Sequence, residues 1–237
     1  METSPERYQP FKITFHLQSP IVLGSPWLMF DGIISHLIFR EQLGQDYYTL
    51  PSKEPVTIHD KQLLKPLKRS RTYGASDNGD LIHASVAQFD VDITDASTVT
   101  VYKRFDESHC HEIATETRKI NIGAGHYRAY MMRLPYLPAK TATFYCCGDM
   151  AEVIRLIGYL PGLGKKTAYG YGMIRSVSVE KTAEDYSLVK DGVAMRPLPC
   201  SFGYKSDDVM MLAWKAPYWD KRNVTACVPP GAKVYGN

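Results

Sequence analysis

Long apolar runs are missing from this 237-residue chain. None reaches the roughly 18 residues that a membrane-spanning helix needs. The first residues, Met1 to Arg7, have no basic segment followed by an apolar core, so no secretory signal is read and the cytoplasm is the expected compartment. Cysteine is scarce: Cys110, Cys146, Cys147, Cys200 and Cys227 are odd in number and contain no Cys-x-x-Cys pair, which argues against a zinc ribbon and a disulfide framework. Reduced thiols are expected. The nucleotide P-loop signature, a glycine loop closed by Gly-Lys-Ser/Thr between a strand and a helix, is absent as well. No metal and no cofactor is expected.

What is present is an ordinary globular composition, 44% apolar and 22% charged, enough for one large domain or two small ones with a real core. The net charge of +3 hides an asymmetry. Residues 117 to 179 hold nine Lys/Arg against Asp149 and Glu152, a net of +7 that leaves −4 for the rest. A basic stretch joined to a mildly acidic remainder reads either as a polyanion-binding face or as charge clustered on a solvated surface.

The basic stretch contains the most distinctive segment, Gly162-Leu-Gly164-Lys165-Lys166-Thr167-Ala168-Tyr169-Gly170-Tyr171-Gly172. Four glycines in eleven residues let the backbone take positive φ and approach a ligand closely. Consecutive amides in such a turn could form an anion-holding nest, reinforced by Lys165 and Lys166. Tyr169 and Tyr171 could stack on bases or simply pack. The plain alternative is a flexible turn between a helix and a strand.

Phe11, Ile13, Phe15 and Leu17 alternate with Lys12, Thr14 and His16, which predicts a half-buried strand with a polar open face. Phe30, Ile33, Ile34, Leu37 and Ile38 then fall on one face of a helix ending near Gly44. Strand followed by amphipathic helix opens a ferredoxin-like unit. Residues 47 to 67 are broken by Pro51, Pro55 and Pro66, and Lys61, Lys65, Lys68, Arg69 and Arg71 follow as a loop that is either phosphate-contacting or merely soluble. Leu81 to Val91 and Val99 to Phe105 read as strands. Residues 106 to 126 form a polar excursion of the kind that is functional or mobile, and a protruding hairpin would fit. His109, Cys110, His111 and Glu112 lack a second ligand pair at zinc spacing and are not read as a metal site. A strand at Thr141 to Cys147, a helix capped by Asp149 with Ala151, Val153, Ile154, Ile157 and Leu160 inward, and a strand from Tyr169 to Val179 complete the predicted body. Beyond Glu180 the chain reads as Pro-rich and irregular, with aromatics at Trp214, Tyr218 and Trp219.

The loop pattern, Gly-hydrophobic-Gly-x5-Gly-aromatic-Gly between helix and final strand, together with the opening strand, Ser-Pro and helix, resembles the RAMP superfamily of CRISPR-associated proteins. More closely, Phe11 to Phe39, Gly123 to Cys147 and Gly148 through Gly172 resemble the small RAMP subunit of type IV CRISPR effector complexes, counterpart of the subunit that grips the guide RNA 5′ handle. The resemblance implies an α+β, ferredoxin-like (RRM-type) domain with an antiparallel sheet over residues 1–180. Residues 106–126 would be a thumb-like excursion, and 181–237 an irregular extension that packs on the domain or docks a partner. It further implies a non-catalytic subunit that binds the repeat-derived handle, caps a backbone of other RAMP subunits and adjoins the large subunit that inspects target DNA.

Single-stranded RNA is held by cationic contacts to phosphate and by bases stacked on aromatics. Arg118, Lys119, Arg128, Lys165 and Lys166 are the phosphate candidates. Tyr169 or Tyr171 would stack, and Gly162, Gly164, Gly170 and Gly172 would line the loop. A second reading is a metal-independent endoribonuclease that processes precursor guide RNA, with His36, on the same helix side as Arg40, as general base. A third is a ferredoxin-like protein-interaction module that ignores nucleic acid.

Overall fold

In the computed structural model, which describes residues 8–49, 66–70, 81–106, 108 and 123–235, the opening alternation becomes strand β1 (Gln9–Leu17), its four predicted apolar side chains buried. After β2 (Ile21–Val22) comes α1 (Phe30–Leu43), ended by Gly44 at a positive φ of 54°. Short strands β3 (Arg69–Ser70), β4 (Leu81–Ile82) and β5 (Gln88–Phe89) precede a hairpin of β6 (Ser97–Lys103) and β7 (Tyr130–Leu137). Then follow β8 (Thr141–Gly148), α2 (Met150–Ile157) and β9 (Ile174–Lys181). The C-terminal segment adds β10 (Val189–Lys190), β11 (Val193–Ala194), β12 (Leu198–Pro199), β13 (Met210–Ala213) and β14 (Val224–Val228).

The largest sheet runs β5-β8-β1-β9, with each neighbouring pair antiparallel. In that register Phe11 lies opposite Cys146 on one side and Lys181 on the other. The buried residues of α1 and α2 share one cluster with the inward side chains of β1 and β8, so both helices cover the same face. Phe144 anchors it, meeting Phe15 edge-on at 5.8 Å and Phe30 at 4.9 Å between ring centres. Each such ring taken out of water stabilises the fold by about 1.5–3 kcal/mol. Arg155 of α2 grips Glu41 of α1 through two bonds of 2.6 and 2.8 Å, closing the helix pair at the surface.

Four expectations are corrected. The segment from Leu81 to Val91 is two short strands, because residues between them bond to different neighbours: Ser85 N–H to Tyr145, Val86 N–H to Met195 and Ala87 N–H to Leu28. The last strand of the body begins at Ile174, because Thr167 to Tyr169 form a 3₁₀ turn. The C-terminal segment is not irregular: β12, β14 and β13 form a three-stranded sheet over a small core of its own, with Leu198, Trp214, Cys227 and Val228 buried beside Leu81. In α2 the inward residues are Val153, Leu156 and Ile157, whereas Ile154 is exposed. Among the described residues no helix is long and apolar enough to cross a membrane.

The extension is tied to α1 by a buried ionic knot. Arg196, fully buried, donates to the carbonyls of Ile82, Ala84 and Trp214 at 2.5, 3.1 and 2.6 Å and to Asp31 at 3.3 Å. The Tyr218 hydroxyl donates to the same carboxylate, its oxygen 2.6 and 2.7 Å from the two Asp31 oxygens. A second polar link, just after β4, holds His83 between Ser70 and Asp185, the latter at 2.6 Å.

Candidate nucleic-acid interface

The Gly-rich loop lies along β2. Lys165 N–H donates to the Val22 carbonyl at 2.8 Å, Gly172 N–H to Pro20 at 2.8 Å and Leu163 N–H to Gly172 at 2.8 Å. The amides of Tyr169, Gly170 and Tyr171 close turns onto Lys166 and Thr167. These amides are spent inside the protein, so the expected nest of backbone donors is not what they build. The glycines serve close packing instead. At Gly164 (φ 79°) a Cβ would stand 2.5 Å from the Val22 oxygen, and at Gly172 (φ 63°) it would stand 2.0 Å from the Leu163 oxygen. Neither approach is open to any other residue.

What the loop presents outward is side chains. Lys166, in the left-handed region at φ 63°, carries its ammonium 5.2 Å from the Tyr169 ring centre and 5.8 Å from that of Tyr130. Lys103 also lies over Tyr130, at 6.0 Å. Lys103 and Tyr130 are directly paired at the end of the β6–β7 hairpin, so the cluster sits where the predicted excursion leaves the body. Strand alternation puts them on the same hairpin face as Val101 and Met132, the face packed with Val22, Leu134 and Tyr171. The Tyr169 hydrogen bond, with the two ammonium groups nearby, lowers the Tyr130 phenol pKa, and the same bond raises that of Tyr169. Cations held against exposed tyrosine faces are a surface that accepts phosphates and unstacked bases.

The predicted residues fare differently. Lys166 and Tyr169 are brought together, and Tyr169 is exposed. Tyr171 packs inward against the hairpin, which leaves stacking to Tyr169. Lys165 is exposed and runs across Gly24, where a Cβ would stand 2.2 Å from its Cε. Gly162 is buried and bridges to Met173, and Gly170 sits in open space at φ 86°. Arg128 is exposed two residues before β7. Arg118 and Lys119 lie outside the described residues, as do His109, Cys110, His111, Glu112 and most of 106–126. Lys103 and Tyr130 were missed, since only hairpin pairing joins them.

Beside the loop a cleft of about 750 Å³ opens between α1, residues Leu160 to Gly164 and the extension. His36 and Arg40 line it. The His36 ring faces Tyr47, whose hydroxyl lies 3.1 Å from Nδ1. Crowding of the ring, then the Arg40 charge, lower the His36 pKa and favour the neutral imidazole. Among the described residues no group of three or more His, Cys, Asp or Glu side chains could hold a metal ion.

Antiparallel sheets, few helices and a basic aromatic loop packed on a hairpin define a mixed α/β protein with a surface suited to polyanions. The chain belongs to the family of CRISPR type IV associated protein Csf3, whose profile matches residues 9–230. The type IV CRISPR association implied by the sequence resemblance is thereby shown. No curated protein matches it. Among solved structures, a chain of the type III-B Cmr-beta complex bound to cognate target RNA, determined by cryo-EM, aligns at 11% identity and a TM-score of 0.33. That alignment covers 74% of this chain and 62% of the other.

Proposed function

We propose that this protein is a non-catalytic RNA-binding subunit of a type IV CRISPR effector complex. It takes the 5′ repeat-derived handle of the guide RNA and caps a backbone of RAMP subunits next to the large subunit. The strand-helix-strand-strand-helix-strand succession, with sheet order β5-β8-β1-β9, supports reading the body as ferredoxin-like. The observation that carries the RNA reading is the cluster of Lys103, Tyr130, Lys166 and Tyr169 at the foot of the excursion. Lysines there meet phosphate and Tyr169 offers a face to a base, while the loop backbone holds both in place. Lys165 and Arg128, exposed close in sequence to Lys166 and Tyr130, are the further phosphate candidates.

The test is binding of a handle-length single-stranded RNA over a salt series. Each neutralised phosphate contributes about 0.7 to the slope of log affinity against log salt. Lys103→Ala/Lys166→Ala is therefore expected to flatten the slope by about 1.4 and to weaken binding, with the thermal melt unchanged. Tyr169→Ala is expected to lose roughly 1–3 kcal/mol, the worth of one stacked base. Unchanged binding in both variants refutes the proposed surface.

A second reading, a metal-independent endoribonuclease, draws on His36: its ring is held neutral beside Arg40 in the cleft, as a general base requires. Incubation with repeat RNA in EDTA decides between the two. Site-specific cleavage that disappears in His36→Ala would replace the binding-only reading, and intact RNA retains it.

A further inference from the structure

The cleft beside the glycine loop has a construction that RNA phosphate contacts alone leave unexplained. Its walls are largely apolar, with Trp27, Leu28 and Ile33 from the start of α1 and the residues before it, Leu160 and Pro161 from the segment after α2, and Leu212 with Tyr218 from the extension. Polar groups are few, chiefly His36, Arg40 and Thr167. At about 750 Å³ it lies within the range of sites that enclose a small ligand. Ile33, placed on the buried stripe of α1 by sequence spacing, is only half buried because it faces this space.

The third wall comes from the extension and is held rigidly. The Tyr218 hydroxyl is fixed by both Asp31 oxygens and by Arg196, which locks the ring over Gly32. A Cβ at Gly32 would stand 3.4 Å from the ring, so the residue there leaves the ring close against α1. Buried ion pairs seldom add stability over apolar packing. Here the pair's clear structural effect is to hold an aromatic wall in one orientation.

We infer that this cleft seats one unstacked base of the bound RNA, with the extension supplying the far wall. The inference rests on the RNA-binding reading above. Its link to that reading is the loop itself: Gly162, Gly164 and Thr167 line the cleft, and Lys166, between the last two, belongs to the cationic cluster. The cluster and the cleft are thus joined through adjacent residues of one loop. Sequence-specific readers of single-stranded RNA place splayed bases between apolar and aromatic walls with a few polar groups at the base edge.

The experiment uses the full chain and a handle-length RNA carrying a single abasic nucleotide at each position in turn, with affinity read by anisotropy of a terminal fluorophore. In the wild type two positions are expected to lose about tenfold each, the scale of one stacked base: the one on Tyr169, whose penalty disappears in Tyr169→Ala, and the one in the cleft. Ile33→Trp, which fills the cleft, is expected to bind intact RNA as weakly as wild type binds the abasic RNA, with no further loss at that position. Leu212→Trp fills the cleft from the opposite wall and is expected to behave alike, which guards against a folding defect in either variant. A flat abasic profile in a wild type that binds RNA overturns the base seat and leaves the RNA-binding reading standing. If every tenfold abasic penalty independent of Tyr169 persists in both filled variants, the base seat is overturned too and the recognised base lies elsewhere. A wild type that binds no RNA removes both.

Discussion

Replacing Asp31 with Ala removes the carboxylate from the knot that joins the extension to α1. Arg196 would remain fully buried and charged, facing only the carbonyls of Ile82, Ala84 and Trp214 and the Tyr218 hydroxyl. Burial disfavours its charged form, yet the charges of Asp31 and Tyr218 and their hydrogen bonds together outweigh it and raise the Arg196 pKa, so the guanidinium stays protonated at any working pH. Leaving one member of such a pair unpartnered costs about 3–5 kcal/mol. The retained carbonyl bonds favour the lower figure, while the lost acceptor for Tyr218 adds about 1 kcal/mol or more. A net loss of about 4 kcal/mol takes much of the 5–15 kcal/mol that holds an ordinary domain together. With a urea slope of about 2–3 kcal/mol/M, the midpoint is expected to fall by more than 1 M, followed through the emission of Trp214, which is buried beside the knot. Asp31→Leu/Arg196→Met removes both charges and is expected to recover most of the loss, because apolar replacement of a buried pair is often neutral. A loss below about 1 kcal/mol in Asp31→Ala, or a double variant as unstable as the worse single, refutes the reasoning.

Three further outcomes are expected. Gly164→Ala meets the Val22 carbonyl oxygen at 2.5 Å and should cost well over 2 kcal/mol, whereas Gly170→Ala, with nothing within 4 Å, should cost only the 1–2 kcal/mol of a left-handed alanine; paired thermal melts check the contrast. Burial pushes the Cys147 thiol up to about 11 and that of Cys227 up to about 12, and raises Cys146 as well. Iodoacetamide at pH 8 should therefore leave all three unmodified in the native protein and label them in urea, as read by peptide mass mapping. Burial raises the Asp185 pKa, but hydrogen bonds from His83 and Ser187 outweigh it and hold the group below its ordinary 3.8. Its stabilising effect is present above that value and lost as pH falls through the lower native one, so the gap between wild type and Asp185→Asn should be full at pH 6 and close below about pH 4.

The parts of this fold written in local pattern were legible in the sequence. The alternation of β1, the stripe and glycine stop of α1, and the Asp149 cap, which accepts from Glu152 N–H at 3.1 Å, each follow from neighbours a few residues away. The inward face of α2 was mis-phased because the apolar arc of Met-Ala-Glu-Val-Ile-Arg-Leu-Ile is wider than the face it buries, and two turns are too few for the period to choose. Tyr130 and Lys103 stayed hidden because cross-strand pairing has no local code. The two small C-terminal sheets were hidden by their prolines and by strands of two to five residues.

The glycine loop is the instructive case, because one signature served two physical uses that sequence alone cannot separate. A loop that cradles an anion points its amides outward, whereas this one turns those of Leu163, Lys165 and Gly172 onto itself and β2. Its glycines therefore belong to folding, and any recognition falls to Lys166 and Tyr169. The two roles should come apart under mutation. Gly164→Ala should lower the melting temperature and lose RNA only in proportion to the unfolded fraction, while Lys166→Ala should lose affinity at an unchanged melt. If the glycine variant proves stable and yet loses RNA, the amides face the ligand after all, and the assignment of the motif to packing is wrong.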